Sequence, residues 1–310
     1  MRIPSLDVLR GIAVLSMLFV NFMTNLSYDL PLPLQHNLAT MLPGDLIAPL
    51  FQFVLGMSLV ASVARRKKKE GEKDIAMHVL KRAALLLLLG FFLDSSLVGF
   101  SSLRWGFLQS LAVGLLLSYA LIDLQPMPRM AVAFAILLCY SALMLYMPGF
   151  SDFILSSRHG GLAGALSYGT VAVFGTVAAE WLYGSKKKQL IEIAGFGVLL
   201  LALATFASFV APFNRLAVSP TYTLFAAGFS FVLAADVYFI VEIKHKTSRM
   251  LSVLGRNALS LWVAQYLFLY WPLIFIIGGG GFLPWYLGIA AAVMAISLFY
   301  VLADILDYAK

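Results

Sequence analysis

The sequence predicts an all-α polytopic membrane bundle of about ten transmembrane helices, with both termini in the cytoplasm. Three observations carry this. First, the 310 residues are 61% hydrophobic and 12% charged, with a mean hydropathy of +0.91, against about 25% charged residues in ordinary soluble domains. Second, apolar stretches long enough to cross a bilayer recur along the whole chain, and each reads as a spanning helix. Third, the basic residues cluster on alternate connections. A soluble globular enzyme is excluded by this composition. So are a disordered chain and a nucleic-acid-binding protein, despite the net charge of +7 and the isoelectric point near 9.4.

The spans run roughly over 8–26, 45–64, 78–97, 103–122, 129–148, 163–183, 190–211, 221–242, 256–277 and 283–306, each about the 20 residues a hydrocarbon core requires. Connections are short and none is polar enough to fold alone, so 1–310 reads as one membrane domain. The single cysteine, Cys139, lies inside a span, which excludes a disulfide or a cysteine metal framework within one chain. No metal is expected. Asp7 and Arg10 interrupt the N-terminal region and no small-residue cleavage site follows, so a signal peptide is not expected.

Orientation follows from charge. Arg65, Arg66, Lys67, Lys68, Lys69 and Lys73 follow span two; Lys186, Lys187 and Lys188 follow span six; Lys244, Lys246 and Arg249 follow span eight. Numbered from an inside N-terminus, every Lys and Arg except Arg104, Arg158 and Arg215 falls at or beside the inner face. The positive-inside rule then sets the topology. The basic runs chiefly orient the chain and meet anionic lipid headgroups, with nucleotide phosphates as a second reading.

Polar residues inside spans cost free energy and normally face the bundle interior or a wet cavity. In span one Asp7, Arg10, Val14, Met17 and Asn21 recur on one helical face, and Asp7 and Arg10 are spaced to pair. In span two Asp45, Pro49, Gln52 and Gly56 do the same. Gln109 sits in span four, and Asn257 and Gln265 in span nine. Each alone reads equally as an interhelical hydrogen bond worth about 1 kcal/mol or less. Together they predict a lined pocket. Glu180, Asp236 and Glu242 read as membrane-edge carboxylates beside Lys and Arg. Gly278–Gly281 lacks the Lys-Ser/Thr of a phosphate loop and reads as a turn between two outer ends.

Of the four histidines, His78 and His245 fall on the basic side, and His36 and His159 outside. His36 stands in the longest outer loop, shortly before Asp45. An imidazole beside a carboxylate is the usual apparatus for taking a proton near neutral pH; an ordinary loop histidine is the alternative.

Ser5-Leu6-Asp7-Val8-Leu9-Arg10-Gly11-Ile12-Ala13, with Met17 to Asn21, resembles the opening of the heparan-α-glucosaminide N-acetyltransferase family. Gly44-Asp45-Leu46-Ile47-Ala48-Pro49-Leu50-Phe51-Gln52-Phe53-Val54-Leu55-Gly56-Met57-Ser58 is similar to its D-L-x-x-P-x-F-x-F-x-x-G-x-S segment. Arg104-Trp105-Gly106-Phe107-Leu108-Gln109-Ser110-Leu111-Ala112, the segment from Asn214-Arg215 to Tyr222, and Gly255-Arg256-Asn257-Ala258-Leu259 follow in family order.

The resemblance implies a multi-span acetyltransferase that takes acetyl from cytoplasmic acetyl-CoA and delivers it across the membrane to an amino sugar, a glycan or a lipid-linked sugar. It places the catalytic histidine in the outward loop before the Asp-Leu span, where His36 stands. The family's Trp and Gly in the stretch between are replaced here by Asn37 to Gly44, about one residue shorter. The family's eukaryotic members carry an added lumenal portion and an extra span that this sequence lacks, so the expected location is a prokaryotic plasma membrane. Within this reading Arg10 and the loop lysines meet the donor's phosphates. His36 serves as base or transient acetyl carrier, and Asp45 orients it or simply caps its helix. Asn21, Gln52, Gln109 and Asn257 supply hydrogen-bond donors, and Arg104 and Arg215 bind an acidic acceptor or cap helix ends. A homodimer is one assembly this allows. A transporter or a lipid or glycan flippase is the competing class, but no internal repeat of the transporter kind is visible. A catalytically decayed scaffold is the third.

Overall fold

A computed structural model describes residues 3–35, 41–184 and 189–308. In chain order the helices are α1 (Pro4–Leu26), α2 (Ile47–Arg66, entered through a 3-10 turn at Pro43–Leu46), α3 (Glu72–Ser96), α4 (Phe107–Ala120), α5 (Pro126–Tyr146) and the short α6 (Phe150–Leu155). Then come α7 (Gly161–Tyr183), α8 (Leu190–Ala207), α9 (Pro220–Tyr238), α10 (Arg249–Arg256), α11 (Ala258–Gln265) and α12 (Trp285–Tyr308). Among the described residues nine helical runs are long and apolar enough to cross a membrane, so the chain is an all-α polytopic bundle. His36, in the loop before α2, lies outside the described residues.

The fourth expected span is shorter than predicted. Its helix holds 14 residues, about 21 Å at 1.5 Å per residue, because Leu103–Gly106 are not helical before it starts. The ninth expected span is not a plain α-helix either. After α11 the chain continues as two π-helical segments, Tyr266–Tyr270 and Pro272–Ile277. Pro272 has no N–H to give to the preceding turn, and the hydrogen bonding around it shifts to a wider pattern.

The chain forms two compact units. The first is Pro49–Phe239, with α7 at its centre: α4, α5 and α9 pack on α7, α3 on α4, and α8 on α9. Almost every residue of α7 is buried, whereas α3, α5 and α8 turn most of their surface outward, showing Leu88, Leu138 and Phe206. A helix apolar on all sides belongs inside. Small residues bring its neighbours close, as in membrane helix pairs generally. A side chain at Gly56 would overlap the carbonyl of Ala172, and one at Gly175 the carbonyl of Phe53. Phe231 fills the space beside them, 5.1 Å from Phe53 and 5.1 Å from Phe196 between ring centroids.

The second unit comprises 3–35, Leu42–Ala48 and 240–308. There α1 packs against α10 and α12. Gly11 rests on the backbone of Leu251 and Gly255 on that of Asp7, so the two helices cross almost in backbone contact. The Gly278–Gly281 stretch is a turn, as expected. Gly278 and Gly281 hold φ of 84° and 74°, a region glycine enters without steric cost, and Gly281 N–H donates to the Asn25 carbonyl at the end of α1.

Candidate active site

Asp45 is buried where the 3-10 turn enters α2. Its Oδ2 accepts from the Leu42 N–H at 3.3 Å while its own N–H donates to the Leu42 carbonyl at 2.9 Å. The carboxylate thus satisfies a backbone donor that a helix start leaves orphaned. Two turns along α2, Gln52 is 0% exposed, and among the described residues neither its amide oxygen nor its amide nitrogen has a hydrogen-bond partner. The side chain lies on α4 beside Gly114 and on α7 beside Ala172; a Cβ on Gly114 would overlap its oxygen. An unpaired amide in such a place costs about 1–3 kcal/mol or more.

Gln109 is equally buried but fully engaged. Its oxygen accepts from Gly106 N–H at 3.1 Å, and its nitrogen donates to the Arg104 carbonyl at 3.0 Å. It closes the non-helical Arg104–Gly106 entry to α4 rather than facing inward. Arg104 itself is held by its backbone, through an N–H bond to Ser95 Oγ at 3.1 Å. Gly106 lies against the carboxylate of Asp94, a buried acid the sequence reading did not single out. Its position 15 residues before Gln109 carries no helical phase that would have pointed to it.

In the second unit Arg10 pairs with Asp7 at 3.4 Å, as their spacing predicts. Asn21 donates to Gln265 Oε1 at 3.1 Å, joining α1 to α11. Asn257 donates to the carbonyls of Val253 and Ala303, both at 3.0 Å. The two glycine contacts between α1 and α10 therefore bring the Asp7–Gly11 and Gly255–Leu259 segments onto one another. Beside them Arg256 binds the carboxylate of Asp307 with both arms of its guanidinium. That hydrogen bond holds Arg256 above its ordinary pKa against the opposing effect of partial burial, with Asp7 and Asp304 adding to it.

Arg215 is half-buried in a tight turn. Asn214 N–H donates to Ser219 Oγ at 3.0 Å, Ser219 N–H returns to the Asn214 carbonyl at 2.9 Å, and Asn214 Oδ1 accepts from Ala217 N–H at 2.9 Å. Close to it in charge is His159, immediately before α7. Sequence reading assigned His159 only to the outer side. Arg129 was likewise read as a plain inner-face charge, yet it is wholly buried and donates to Thr176, to Glu180 and to the carbonyls of Ile122 and Leu124. Glu180 lies beside Arg129, 51 positions away in the chain.

A family model described as heparan-alpha-glucosaminide N-acetyltransferase, catalytic, matches residues 2–196. The chain belongs to this family. No curated protein matches it significantly. The match to the N-acetyltransferase family begins at the head of α1 and ends within α8. It thus takes in Arg10, Asn21, His36, Asp45, Gln52, Arg104, Gln109 and His159, and leaves Arg215 and Asn257 beyond its end. Several of its family-like segments act locally as backbone devices: Gly56 and Gly255 as points of close helix approach, Asp45 and Gln109 as closures of helix starts. Gln52 is the member of that set whose amide meets no hydrogen-bond partner among the described residues.

Proposed function

We propose that this membrane protein transfers acetyl from cytoplasmic acetyl-CoA to the amine or hydroxyl of a sugar or glycan on the opposite face. The family supports a transmembrane acetyltransferase; the basic-loop pattern supports donor entry from the cytoplasm, since anionic phosphates favour that side. The observation that carries the donor assignment is Gln52. A buried amide with both atoms unpaired suits a ligand that presents an N–H and a carbonyl together, and the pantetheine arm of coenzyme A is built of such amides. Arg10 and the loop lysines suit the nucleotide phosphates.

Acyl transfer requires an acceptor relieved of its proton, a carbonyl in line and donors for the developing oxyanion. His36 fills the role of base or of acetyl carrier, and Asp45 that of its orienting carboxylate. Arg104 and Arg215 suit an acidic group on the acceptor. In a prokaryotic plasma membrane that acceptor is an envelope sugar, free or lipid-linked.

The test is a thermal-stability titration in detergent with acetyl-CoA, using ATP as control, on the wild type and on Gln52→Leu. A ligand at about 100 times its dissociation constant stabilises by roughly 2.7 kcal/mol. A shift specific to acetyl-CoA and weakened in Gln52→Leu is expected. No shift at millimolar donor overturns the donor assignment.

A further inference from the structure

At the end of the Pro49–Phe239 unit where α4, α7 and α9 begin, one histidine is presented in an unusual way. His159 has φ 51° and ψ 33°, a left-handed conformation uncommon outside glycine. Gly160 and Gly161 follow with φ of 68° and 60°, and the turn tucks the His159 carbonyl against α7 where Gly164 has no side chain. Val218 is left-handed too, at φ 49°, which for a β-branched residue is a true outlier. Both strained segments are tied down. Ser167 Oγ of α7 donates to the Val218 carbonyl at 2.9 Å, and Tyr140 Oη of α5 donates to the Ala217 carbonyl at 2.7 Å, with Gly160 packed beside that hydroxyl. Strain of about 1–3 kcal/mol per residue persists only where the surroundings over-determine it, and it gathers at functional sites.

The imidazole is oriented by rings rather than by hydrogen bonds. It stacks on Tyr168 with centroids 6.4 Å apart and planes 26° apart, and meets Phe107 at 6.2 Å. Tyr168 stacks in turn on Tyr222 at 6.2 Å and 8°, their hydroxyls 3.4 Å apart. Among the described residues neither imidazole nitrogen has a hydrogen-bond partner, yet neither is a sealed orphan like those of Gln52, and the residue stays partly exposed. Arg158 adjoins it and Arg215 lies within electrostatic range. A histidine needed only for packing would spend a nitrogen on a carbonyl; this one keeps both for something that arrives.

We propose that His159 accepts the proton of the acceptor's amine or hydroxyl during acyl transfer, and that Arg158 and Arg215 hold an anionic group on the same molecule: a carboxylate, sulfate or phosphate. This rests on the acetyltransferase reading above, with His36 taking the acetyl-carrier role of the two given there. As the acceptor nitrogen or oxygen bonds to the acetyl carbon, the bond from that carbon to its leaving group breaks. The leaving group departs with the electron pair, and the acceptor's proton passes to an imidazole nitrogen and then to water or the departing group.

Two measurements test this. In the first, purified wild-type protein is treated with diethyl pyrocarbonate, and carbethoxylation of His159 is read by peptide mass spectrometry with glucosamine 6-phosphate or glucosamine present. His159 is expected to react, and glucosamine 6-phosphate to slow the reaction at least about tenfold, more than glucosamine does. An unreactive His159, or one neither sugar protects, overturns the proposal whatever the donor is. In the second, transfer of labelled acetyl to glucosamine 6-phosphate is compared in wild type and His159→Asn. Asparagine tolerates the left-handed backbone but is no base, so kcat is expected to fall about 10²–10⁴-fold with KM for the sugar little changed. The acetyl-CoA stability shift is expected to stay. Full kcat in His159→Asn, with that shift present, overturns the role of His159 alone. Protection of His159 without any acetyl-CoA shift in the wild type overturns the donor assignment and upholds the acceptor site.

Discussion

Arg129, wholly withdrawn from solvent, donates to the carboxylate of Glu180 at 2.8 Å, and so fastens the start of α5 to the last turns of α7. The same guanidinium satisfies the Thr176 hydroxyl at 2.9 Å and the Ile122 carbonyl at 2.9 Å. Glu180 keeps 30% of its side chain exposed, so the larger cost, about 3–5 kcal/mol, falls on removing its carboxylate from the wholly buried guanidinium. Arg129→Met and Glu180→Gln are each expected to lower thermal stability in detergent steeply. The double variant is expected to recover part of the loss, because no lone charge remains. Singles that melt with the wild type would show that the pair contributes nothing.

Gln52→Leu is expected to make the ligand-free protein more stable, by about 1–3 kcal/mol, since it removes two buried groups that have no partner among the described residues. The same change is expected to reduce the acetyl-CoA shift. A leucine variant that melts lower than wild type would mean the amide is satisfied within the protein and has no ligand duty.

Glycines separate cleanly by what surrounds them. Gly56→Ala sets a methyl onto the Ala172 carbonyl and Gly175→Ala onto that of Phe53, and each is expected to cost about 1–3 kcal/mol as overpacking does. Gly195→Ala in α8 meets nothing within 4 Å, and is expected to be neutral or to stabilise by a few tenths of a kcal/mol. Parallel melting curves of the three variants check this ordering.

His36→Ala is expected to abolish acetyl transfer with the melting temperature unchanged. Asp45→Asn is expected to keep the fold and lower the rate, because an amide still accepts from the Leu42 N–H but holds an imidazolium less well. Full transfer by the first variant would reduce His36 to a loop histidine; unchanged kinetics in the second would leave Asp45 as a helix-start device only.

The sequence by itself determined the solvent in which this chain lives, the places of its spans and the faces they bury. Those properties depend on local composition and on helical period, which are written within some twenty residues. Asp7 and Arg10 pair as their three-residue spacing requires, and Asp7, Val14 and Met17 are buried on one face of α1. The fourth span was legible as apolar but not as short, because its start depends on Gln109 turning back to cap Gly106. Tertiary structure alone decided the meaning of the polar residues. Gln52 and Gln109 look alike in sequence, yet one is an orphan against α4 and α7 and the other a satisfied cap. Arg129 reads as a surface charge until Glu180, 51 positions away, meets it in the interior. His159 reads as a loop residue until Tyr168 and Phe107 clamp its ring. A polar group in hydrocarbon takes its role from whichever partner folding brings within about 3 Å, and no local pattern records that partner.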